Sequence, residues 1–385
     1  MSCRCKLILL LLAITLAGCA LPSRVAPPLA VVRDDLDVAS LRLAIGHSLS
    51  YLRKLPPERV VGELPRSFTA GELIDSLSAF DALLDGWGCR ECFAREFAAR
   101  FELIPSSPLA NQAEVLFTGY YQPVIDARLT PGDGFDYPLY GVPADLVTQE
   151  QNGEKKLGRI ENQTLLPYYS RRDIDELGAL RGRNLEIAWV QDPIELFFLH
   201  IQGSGLLRLR DGREVTAGYA AQSGLPYRAI GRLLIDNGKI AKEEMSMQRL
   251  RRYLTENPTE RNEIFAYNES YVFFRLIDGG PVGSLGVPVS AGRTIATDSR
   301  LFPRGGLALV QAEIPIVGAQ GELTGWRPVT RFVLNQDTGG AIRGPQRADY
   351  YFGTGDDAGA LAGYMNRQGR FYIVALKKAL TTSAD

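Results

Sequence analysis

One segment near the C-terminus, residues 331–353, constrains the fold of this chain more than any other part of the sequence. An apolar run, residues 331–334, leads into Asp337, and a loop with several glycines follows. A second β-like run begins at Asp349. Because glycine adopts positive φ at little cost, the loop can turn tightly. The pattern predicts a strand, a tight loop and a second strand, with one aspartate near each strand end.

A third aspartate, Asp298, follows another short apolar segment, residues 294–297. A β-barrel could bring Asp298, Asp337 and Asp349 together. This arrangement favours an acid site that cleaves sugars, with Asp349 as the leading candidate for the proton donor. The ordinary alternative is turn capping, since an aspartate beside glycine often caps a nearby backbone N–H. Three such residues in one short segment weaken that alternative without removing it.

The N-terminus has the pattern of an export signal. Arg4 and Lys6 precede a ten-residue apolar run, residues 7–16, which is too short to span a bilayer and suits a signal-peptide core. The run leads to Cys19 in a sequence that resembles the bacterial lipobox, in which the cysteine is lipidated. Ala20 follows Cys19, so the resemblance implies an outer-membrane lipoprotein that faces the periplasm. The alternative is a secreted protein with a chance cysteine.

Two further cysteines, Cys89 and Cys92, form a C-x-x-C pair. Such a pair occurs in zinc half-sites, in redox motifs and in short structural disulfides. A tetrahedral zinc site needs further ligands, and the whole chain has two histidines. In an exported protein a structural disulfide is the favoured interpretation.

The composition is that of an ordinary globular protein, with 45% hydrophobic residues, 23% charged residues and a formal net charge of −1. A chain of 385 residues should form about two domains. Near-neutral charge argues against a nucleic-acid partner, because phosphate binding requires a basic surface.

Helical spacing of apolar residues dominates from residue 41 to about residue 101, and β-like runs follow from residue 115. Thr69 and Glu72 form a capping box, which predicts a helix start. The run 197–205 is predicted to be a strand that ends in a glycine loop. Asp211 and Gly212 predict a hairpin turn. Helices are also expected at residues 41–52, 93–101, 226–236 and 246–254.

Several segments together resemble the membrane-bound lytic murein transglycosylase A family, and the last part also resembles the three-aspartate (3D) domain of other cell-wall proteins. The resemblance runs from about Phe117 to Tyr372. Its motifs are Phe117–Tyr121, Gln202–Gly205, Gly218–Ala220, Tyr227–Gly231, Tyr271–Phe274, Ala296–Asp298 and the stretch from Asp337 to Asp349.

The resemblance implies a mainly β fold with accessory helices, in which a double-psi β-barrel is interrupted by an inserted second β-domain. A groove for the glycan would lie between the two. The expected organisation is a lipoprotein signal peptide, a lipidated N-terminus and tether, a barrel domain in two pieces and the inserted domain. Their boundaries are 1–18, 19–38, 39–122 plus 279–385, and 123–278.

The resemblance further implies cleavage of the β-1,4 bond between N-acetylmuramic acid and N-acetylglucosamine in peptidoglycan, with a 1,6-anhydromuramic product. It implies no metal and no organic cofactor. The partners would be glycan strands and, through the lipid on Cys19, the outer membrane. The catalytic acid falls on Asp349, with Asp337 and Asp298 as supporting acids. The glycan-binding residues would be Thr118, Tyr120, Gln202, Gly203 and Ser204.

Asp349 alone could serve as acid and then as base, because closure of the muramic C6 hydroxyl on C1 needs no activated water. The group must then hold a proton near neutral pH, which burial or a neighbouring negative charge favours. Arg343 and Arg347 would oppose this, so both guanidinium groups are predicted to point away from Asp349. The alternatives are a two-carboxylate hydrolase that uses Asp349 and Asp337, and a non-catalytic cell-wall binding protein.

Overall fold

The computed structural model of the chain describes residues 34–106, 114–151 and 154–378. The predicted signal peptide and Cys19 lie outside these residues. The α-helices are α1 (Val38–Leu52), α2 (Ala70–Leu83), α3 (Arg90–Arg100), α4 (Arg171–Asp175), α5 (Pro193–Gln202), α6 (Ile230–Asp236), α7 (Met247–Glu256), α8 (Arg261–Tyr267) and α9 (Asp356–Tyr364). No helix among the described residues is long and apolar enough to cross a membrane.

The strands are more numerous and mostly short. They are β1 (Val60–Gly62), β2 (Phe68–Thr69), β3 (Phe101–Pro105), β4 (Glu114–Gln122), β5 (Val124–Arg128), β6 (Tyr137–Tyr140), β7 (Val147–Gln151), β8 (Glu154–Glu161), β9 (Thr164–Leu166), β10 (Glu186–Val190), β11 (Ser204–Leu209), β12 (Glu214–Gln222), β13 (Val272–Ile277), β14 (Thr294–Ala296), β15 (Leu307–Val317), β16 (Leu323–Asp337), β17 (Arg347–Thr354) and β18 (Asn366–Leu376).

A closed six-stranded barrel forms the larger of the two β units. Strands β15, β16, β14, β17, β4 and β18 pair in that order, and β18 pairs back with β15. The pairs β14–β16 and β17–β4 are parallel, and the others are antiparallel. Closure leaves the barrel without free edges. The predicted class, a mainly β chain with a double-psi barrel, is therefore confirmed.

A second, six-stranded sheet is built from the chain between β4 and β14. Its strand order is β13, β12, β11, β5, β10 and β6, and a separate three-stranded sheet contains β7, β8 and β9. Helices α5, α6, α7 and α8 form an apolar cluster of their own beside this sheet. The chain thus leaves the barrel after β4 and returns to it at β14. The domain boundaries given above remain a prediction.

Three N-terminal helices cover the barrel and share its core. The capping box is present as predicted: the Thr69 side chain caps the N3 backbone and the Glu72 side chain caps the Thr69 backbone. Phe80 of α2 packs edge-on against Phe332 of β16, with ring centroids 4.8 Å apart. Such aromatic pairs add about 0.5–1.5 kcal/mol beyond their area burial. This packing fixes β16, the strand that carries Asp337.

The predicted strand at 197–205 is wrong, because these residues belong mainly to helix α5. Asp192 caps the helix through the N–H of Ile194, Pro193 occupies its first turn, and Gly203 ends it with φ 77°. Short apolar runs do not distinguish a buried helix from a strand by periodicity alone. The Asp-Pro pair before the run and the glycine after it are the signals that identify a helix.

Most other predicted elements are present. Helices occur at the predicted places before residue 101, and α7 follows Ser246, whose side chain caps it. Helix α6 begins at Ile230, four residues later than predicted. The hairpin turn joins β11 and β12, and Cys89 and Cys92 form the expected disulfide.

Candidate active site

Four neighbouring strands of the barrel place two of the three aspartates in one transverse row. Ala296 on β14 is the register partner of Asp337 on β16 and of Asp349 on β17. Asp349 is in turn the register partner of Thr118 on β4. Strand β14 lies between β16 and β17, and neighbouring strands are about 4.8 Å apart, so the backbones of the two aspartates are about two strand spacings apart. The barrel therefore brings together Asp337, Asp349 and Thr118, as the sequence predicted.

Asp349 receives its hydrogen bonds from side chains. The Thr118 hydroxyl donates to Oδ1 over 2.5 Å. The Arg347 guanidinium donates to both oxygens, from Nε to Oδ1 (3.0 Å) and from Nη2 to Oδ2 (3.3 Å). The Asp349 side chain is 14% exposed. The carboxyl group is thus mostly buried but keeps some contact with solvent.

The prediction that Arg347 points away from Asp349 is wrong. Arg347 and Asp349 are two residues apart on β17, and alternate side chains of a strand project from the same face. The predicted strand began at Asp349 and so left out Arg347, whereas the strand in the structure begins at Arg347. With that earlier start, the spacing R-x-D would have shown this contact. Arg343 is exposed, and its Nη1 donates to the carbonyl of Ile342 (3.4 Å).

Asp337 is held by both backbone and side-chain donors. Its Oδ1 accepts from the N–H groups of Ser284 (2.9 Å) and Thr338 (2.8 Å), and its Oδ2 accepts from the Tyr120 hydroxyl (3.0 Å). Loss of hydration raises the pKa of Asp337, although these hydrogen bonds act in the opposite direction. The same burial, with the nearby Asp337 charge, raises the pKa of Tyr120 well above its usual value. Asp337 and Tyr120 therefore lie together in a poorly hydrated part of the site.

Asp298, the third aspartate, holds the backbone of the site in place. It is fully buried and forms an ion pair with Arg300, with Nη2 2.7 Å from Oδ2. It also accepts from the backbone N–H groups of Arg300 (3.1 Å) and Gly344 (3.0 Å). The Arg300 hydrogen bond is the main cause that lowers the pKa of Asp298 to about 2. Asp298 thus stays ionised and fixes the glycine loop that precedes β17.

The Gln202–Ser204 segment connects the second sheet to the barrel. The Gln202 side-chain oxygen accepts from the backbone N–H of Tyr121 on β4 (3.1 Å). Gly203 is the left-handed residue that ends α5, and Ser204 begins β11. The structure therefore places the predicted Gln202 beside the strand that carries Thr118 and Tyr120.

Sequence reasoning missed the contribution of Tyr227 from the second β unit. Loss of hydration raises the pKa of Tyr227, and the charges of Arg347 and Asp349 act on the same pKa in opposite directions. The charges of Arg347 and Asp349 thus reach the Tyr227 hydroxyl across the two units. Tyr227 as a whole residue is 38% exposed to solvent. A groove between the two units is lined by Tyr121 of β4, Glu195 of α5 and Arg251 of α7. Within the described ranges no group of histidine, cysteine, aspartate or glutamate residues could hold a metal ion.

Two family models match this chain. The model described as the MltA specific insert domain matches residues 116–275, and the model described as the 3D domain matches residues 293–375. The first range contains the second β unit with Thr118, Tyr120 and Gln202. The second range contains all three aspartates.

The chain is also similar to curated proteins over much of its length. It is 36% identical to the membrane-bound lytic murein transglycosylase A of Escherichia coli K12 over 267 residues, which are 69% of this chain and 66% of that protein. It is 32% identical to the protein of the same name from Vibrio cholerae over 274 residues, 70% of this chain and 68% of that protein. The aligned region thus spans about two thirds of these relatives.

Solved structures match over most of both chains. A membrane-bound lytic murein transglycosylase from Agrobacterium tumefaciens is 33% identical with a TM-score of 0.73, covering 88% of this chain and 93% of that one. E. coli MltA with bound chitohexaose is 28% identical with a TM-score of 0.68, covering 90% and 92%. The chain therefore belongs to the membrane-bound lytic murein transglycosylase A family of peptidoglycan-cleaving lyases.

Proposed function

We propose that this chain cleaves the β-1,4 bond between N-acetylmuramic acid and N-acetylglucosamine with Asp349 as the single acid and base. This assignment rests on the type of hydrogen-bond donor that surrounds each aspartate. Backbone N–H groups, which cannot move away, hold Asp337 and Asp298. The hydrogen bonds to Asp349 come from the side chains of Thr118 and Arg347. Side chains can exchange a carboxyl oxygen for a substrate oxygen, so Asp349 is the aspartate able to engage a sugar.

The reaction needs one carboxyl group in two states. Protonated Asp349 gives its proton to the glycosidic oxygen, and the bond from C1 to that oxygen breaks through an oxocarbenium-like transition state. The Asp349 carboxylate then takes the proton of the muramic C6 hydroxyl as that oxygen bonds to C1. The products are a free N-acetylglucosamine 4-hydroxyl and a 1,6-anhydromuramic end, and the carboxyl group regains its proton.

Asp337 and Asp298 are proposed to hold other groups of the site in position. Asp337 fixes the Tyr120 hydroxyl, and Asp298 fixes the glycine loop through Gly344. Thr118 orients the Asp349 carboxyl group through its short hydrogen bond. These roles agree with a mechanism that uses one catalytic carboxyl group and several positioning groups.

The substrate is proposed to be a peptidoglycan glycan strand. A hexasaccharide of N-acetylglucosamine is bound in the related E. coli structure, which supports a glycan in the corresponding cleft of this chain. Thr118, Tyr120 and the segment Gln202, Gly203 and Ser204 are the proposed glycan contacts. Aromatic rings with hydroxyl groups suit sugars, whose faces are apolar and whose rims form hydrogen bonds.

The location of the protein is also a proposal. The relatives are named membrane-bound. A lipid on Cys19 would hold the chain at the outer membrane with its folded part in the periplasm, and residues 20–38 would act as the tether. The barrel domain is proposed to consist of 39–122 and 279–385, with 123–278 inserted into it.

Product analysis of purified sacculi tests the function. The soluble form that starts after Cys19 should release fragments with 1,6-anhydromuramic ends, identified by mass. Asp349→Asn should bind sacculi and release nothing, whereas the matched control Asp211→Asn, in an exposed hairpin turn, should act as the parent does. Reducing ends would instead indicate a two-carboxylate hydrolase. Full activity of Asp349→Asn would overturn the assignment of Asp349, and no release by the parent chain would indicate a binding protein.

A further inference from the structure

The disulfide between Cys89 and Cys92 lies at the protein surface, at the start of helix α3. Cys89 is exposed and Cys92 is half-buried. The proposed glycan cleavage uses neither cysteine. Exposed disulfides are open to attack by a thiol, and they are commonly the labile ones, whereas structural disulfides resist reduction. The position of this bond therefore permits a chemistry of its own.

The bond closes a very short loop. Its two cysteines are three positions apart in the sequence, so it connects the first turn of α3 to the residue that caps that turn. The stabilising effect of a disulfide on the folded state grows with the length of the loop that it closes. This bond therefore adds less to the stability of the fold than a bridge between two distant segments would.

Aromatic packing holds α3 on the barrel independently of the sulfur atoms. Phe93 and Phe97 of α3 are buried in the barrel core. The ring centroid of Phe93 lies 6.1 Å from that of Phe80, and the ring centroid of Phe97 lies 5.8 Å from that of Phe332. Trp87, just before the helix, packs edge-on against Phe93 at 4.9 Å. The helix should therefore stay in place when the disulfide is opened.

The start of α3 also favours sulfur in its negatively charged form. Cys89 is the N-cap residue, and its Sγ accepts a hydrogen bond from the backbone N–H of Cys92 (3.3 Å). Helix N-termini stabilise a thiolate through these N–H groups and the helix dipole. Arg90 and Glu91, which lie between the cysteines, are both exposed and carry opposite charges. The helix itself thus supplies the stabilisation that a leaving thiolate needs.

We propose that the pair Cys89–Cys92 is a reversible thiol–disulfide exchange site, which a dithiol attacks at the exposed Cys89. A thiolate of the dithiol bonds to Sγ of Cys89, the Cys89–Cys92 bond breaks, and Cys92 leaves as a thiolate. The second thiolate of the dithiol then attacks its own sulfur in this mixed disulfide, and Cys89 leaves in turn. The dithiol is oxidised to a disulfide, Cys89 and Cys92 are reduced by two electrons, and the two protons of the dithiol pass to them.

The kinetics of reduction by dithiothreitol test this proposal. The form that starts after Cys19, which retains every residue that the structure describes, is incubated with dithiothreitol in buffer and in urea. Samples are alkylated at intervals, and the free thiols are counted by mass. The folded chain should be reduced at least as fast as the urea-unfolded chain, because Cys89 is exposed and the helix stabilises the leaving thiolate. Reduction of the folded chain that is more than about tenfold slower would show a protected structural bridge and overturn the proposal.

A pair of single variants tests which sulfur is attacked. Cys92→Ser leaves the exposed N-cap thiol, and Cys89→Ser leaves the half-buried thiol. With oxidised glutathione, the Cys92→Ser chain should form its mixed disulfide about tenfold faster than the Cys89→Ser chain. Equal rates, or the reverse order, would refute the assignment to Cys89.

Thermal unfolding separates this site from a structural bridge that the fold requires. The reduced parent and both variants should still unfold in one cooperative transition, measured by calorimetry, because aromatic packing holds α3. Loss of that transition on reduction would make the bond a necessary brace and contradict the proposal. No measurement here depends on glycan cleavage, so failure of this proposal and failure of the proposed function are distinguishable.

Discussion

Gly119 lies between two site residues on β4 and has no room for a side chain. Thr118 and Tyr120 face the acids, so Gly119 faces the opposite side of the strand, toward helix α9. A Cβ atom built on Gly119 would lie 2.6 Å from the Cα and 2.8 Å from the carbonyl oxygen of Ala362, and 2.9 Å from the Phe352 ring. All three distances are shorter than real Cβ contacts. Two of the three atoms are backbone, so the clash cannot be relieved by a side-chain rotation.

Gly119→Ala therefore forces β4 and α9 apart. Overpacking of this kind costs about 1–3 kcal/mol. At about 2 °C per kcal/mol for a large domain, the midpoint of thermal unfolding should fall by roughly 2–6 °C. The same displacement moves Thr118 relative to Asp349, across a hydrogen bond of 2.5 Å. Activity on sacculi, measured well below the unfolding midpoint, should therefore fall more than the loss of folded protein explains.

Gly46→Ala is the matched control. Gly46 lies in helix α1, and nothing is within 4 Å of the position of its Cβ atom. Alanine in a helix interior is about 0.5–1 kcal/mol more stable than glycine, so this variant should unfold at the same or a higher temperature. The two variants are compared by differential scanning calorimetry. If Gly119→Ala unfolds at or above the parent temperature, the argument from close contact between β4 and α9 is wrong.

The remaining predictions concern charges inside the fold. Burial, with a smaller contribution from a nearby arginine, lowers the pKa of His200 well below its usual value, so the unfolded chain binds a proton that the folded chain does not. The free energy of unfolding should then fall as the pH drops below about 6.5, by up to about 1.4 kcal/mol per pH unit. His200→Gln should flatten this fall in urea titrations, and an unchanged pH dependence in that variant would contradict the assignment to His200. Asp34 and Arg293 form a fully buried ion pair of 2.5 Å, and Asp34→Ala should cost about 3–5 kcal/mol by leaving the guanidinium unpaired. Asp85→Ala, which removes an exposed ion pair, should cost much less in the same denaturation assay. Equal losses for the two variants would contradict this account of burial.

The sequence determined those features that depend on local pattern. The strand, glycine loop and strand around Asp337 and Asp349 were readable because strand ends and glycine turns are local signals. The capping box at Thr69 and the disulfide of Cys89 with Cys92 were also predicted, and both are present. The family resemblance rested on short motifs in a fixed order. The comparisons with known proteins confirmed the family. The helical state of residues 193–202 was missed because a short apolar run is compatible with either structure.

Only the tertiary structure decided which groups meet at the site. Asp298 and Asp337 look alike in sequence, yet one pairs with Arg300 and has a lowered pKa, and the other loses hydration and has a raised one. Spacing along the chain does not reveal such differences, because each pKa depends on neighbours supplied by distant strands and on the exclusion of water. The contact of Arg347 with Asp349 depends in turn on both residues lying on the same face of β17, beside Thr118 of a strand more than two hundred residues earlier.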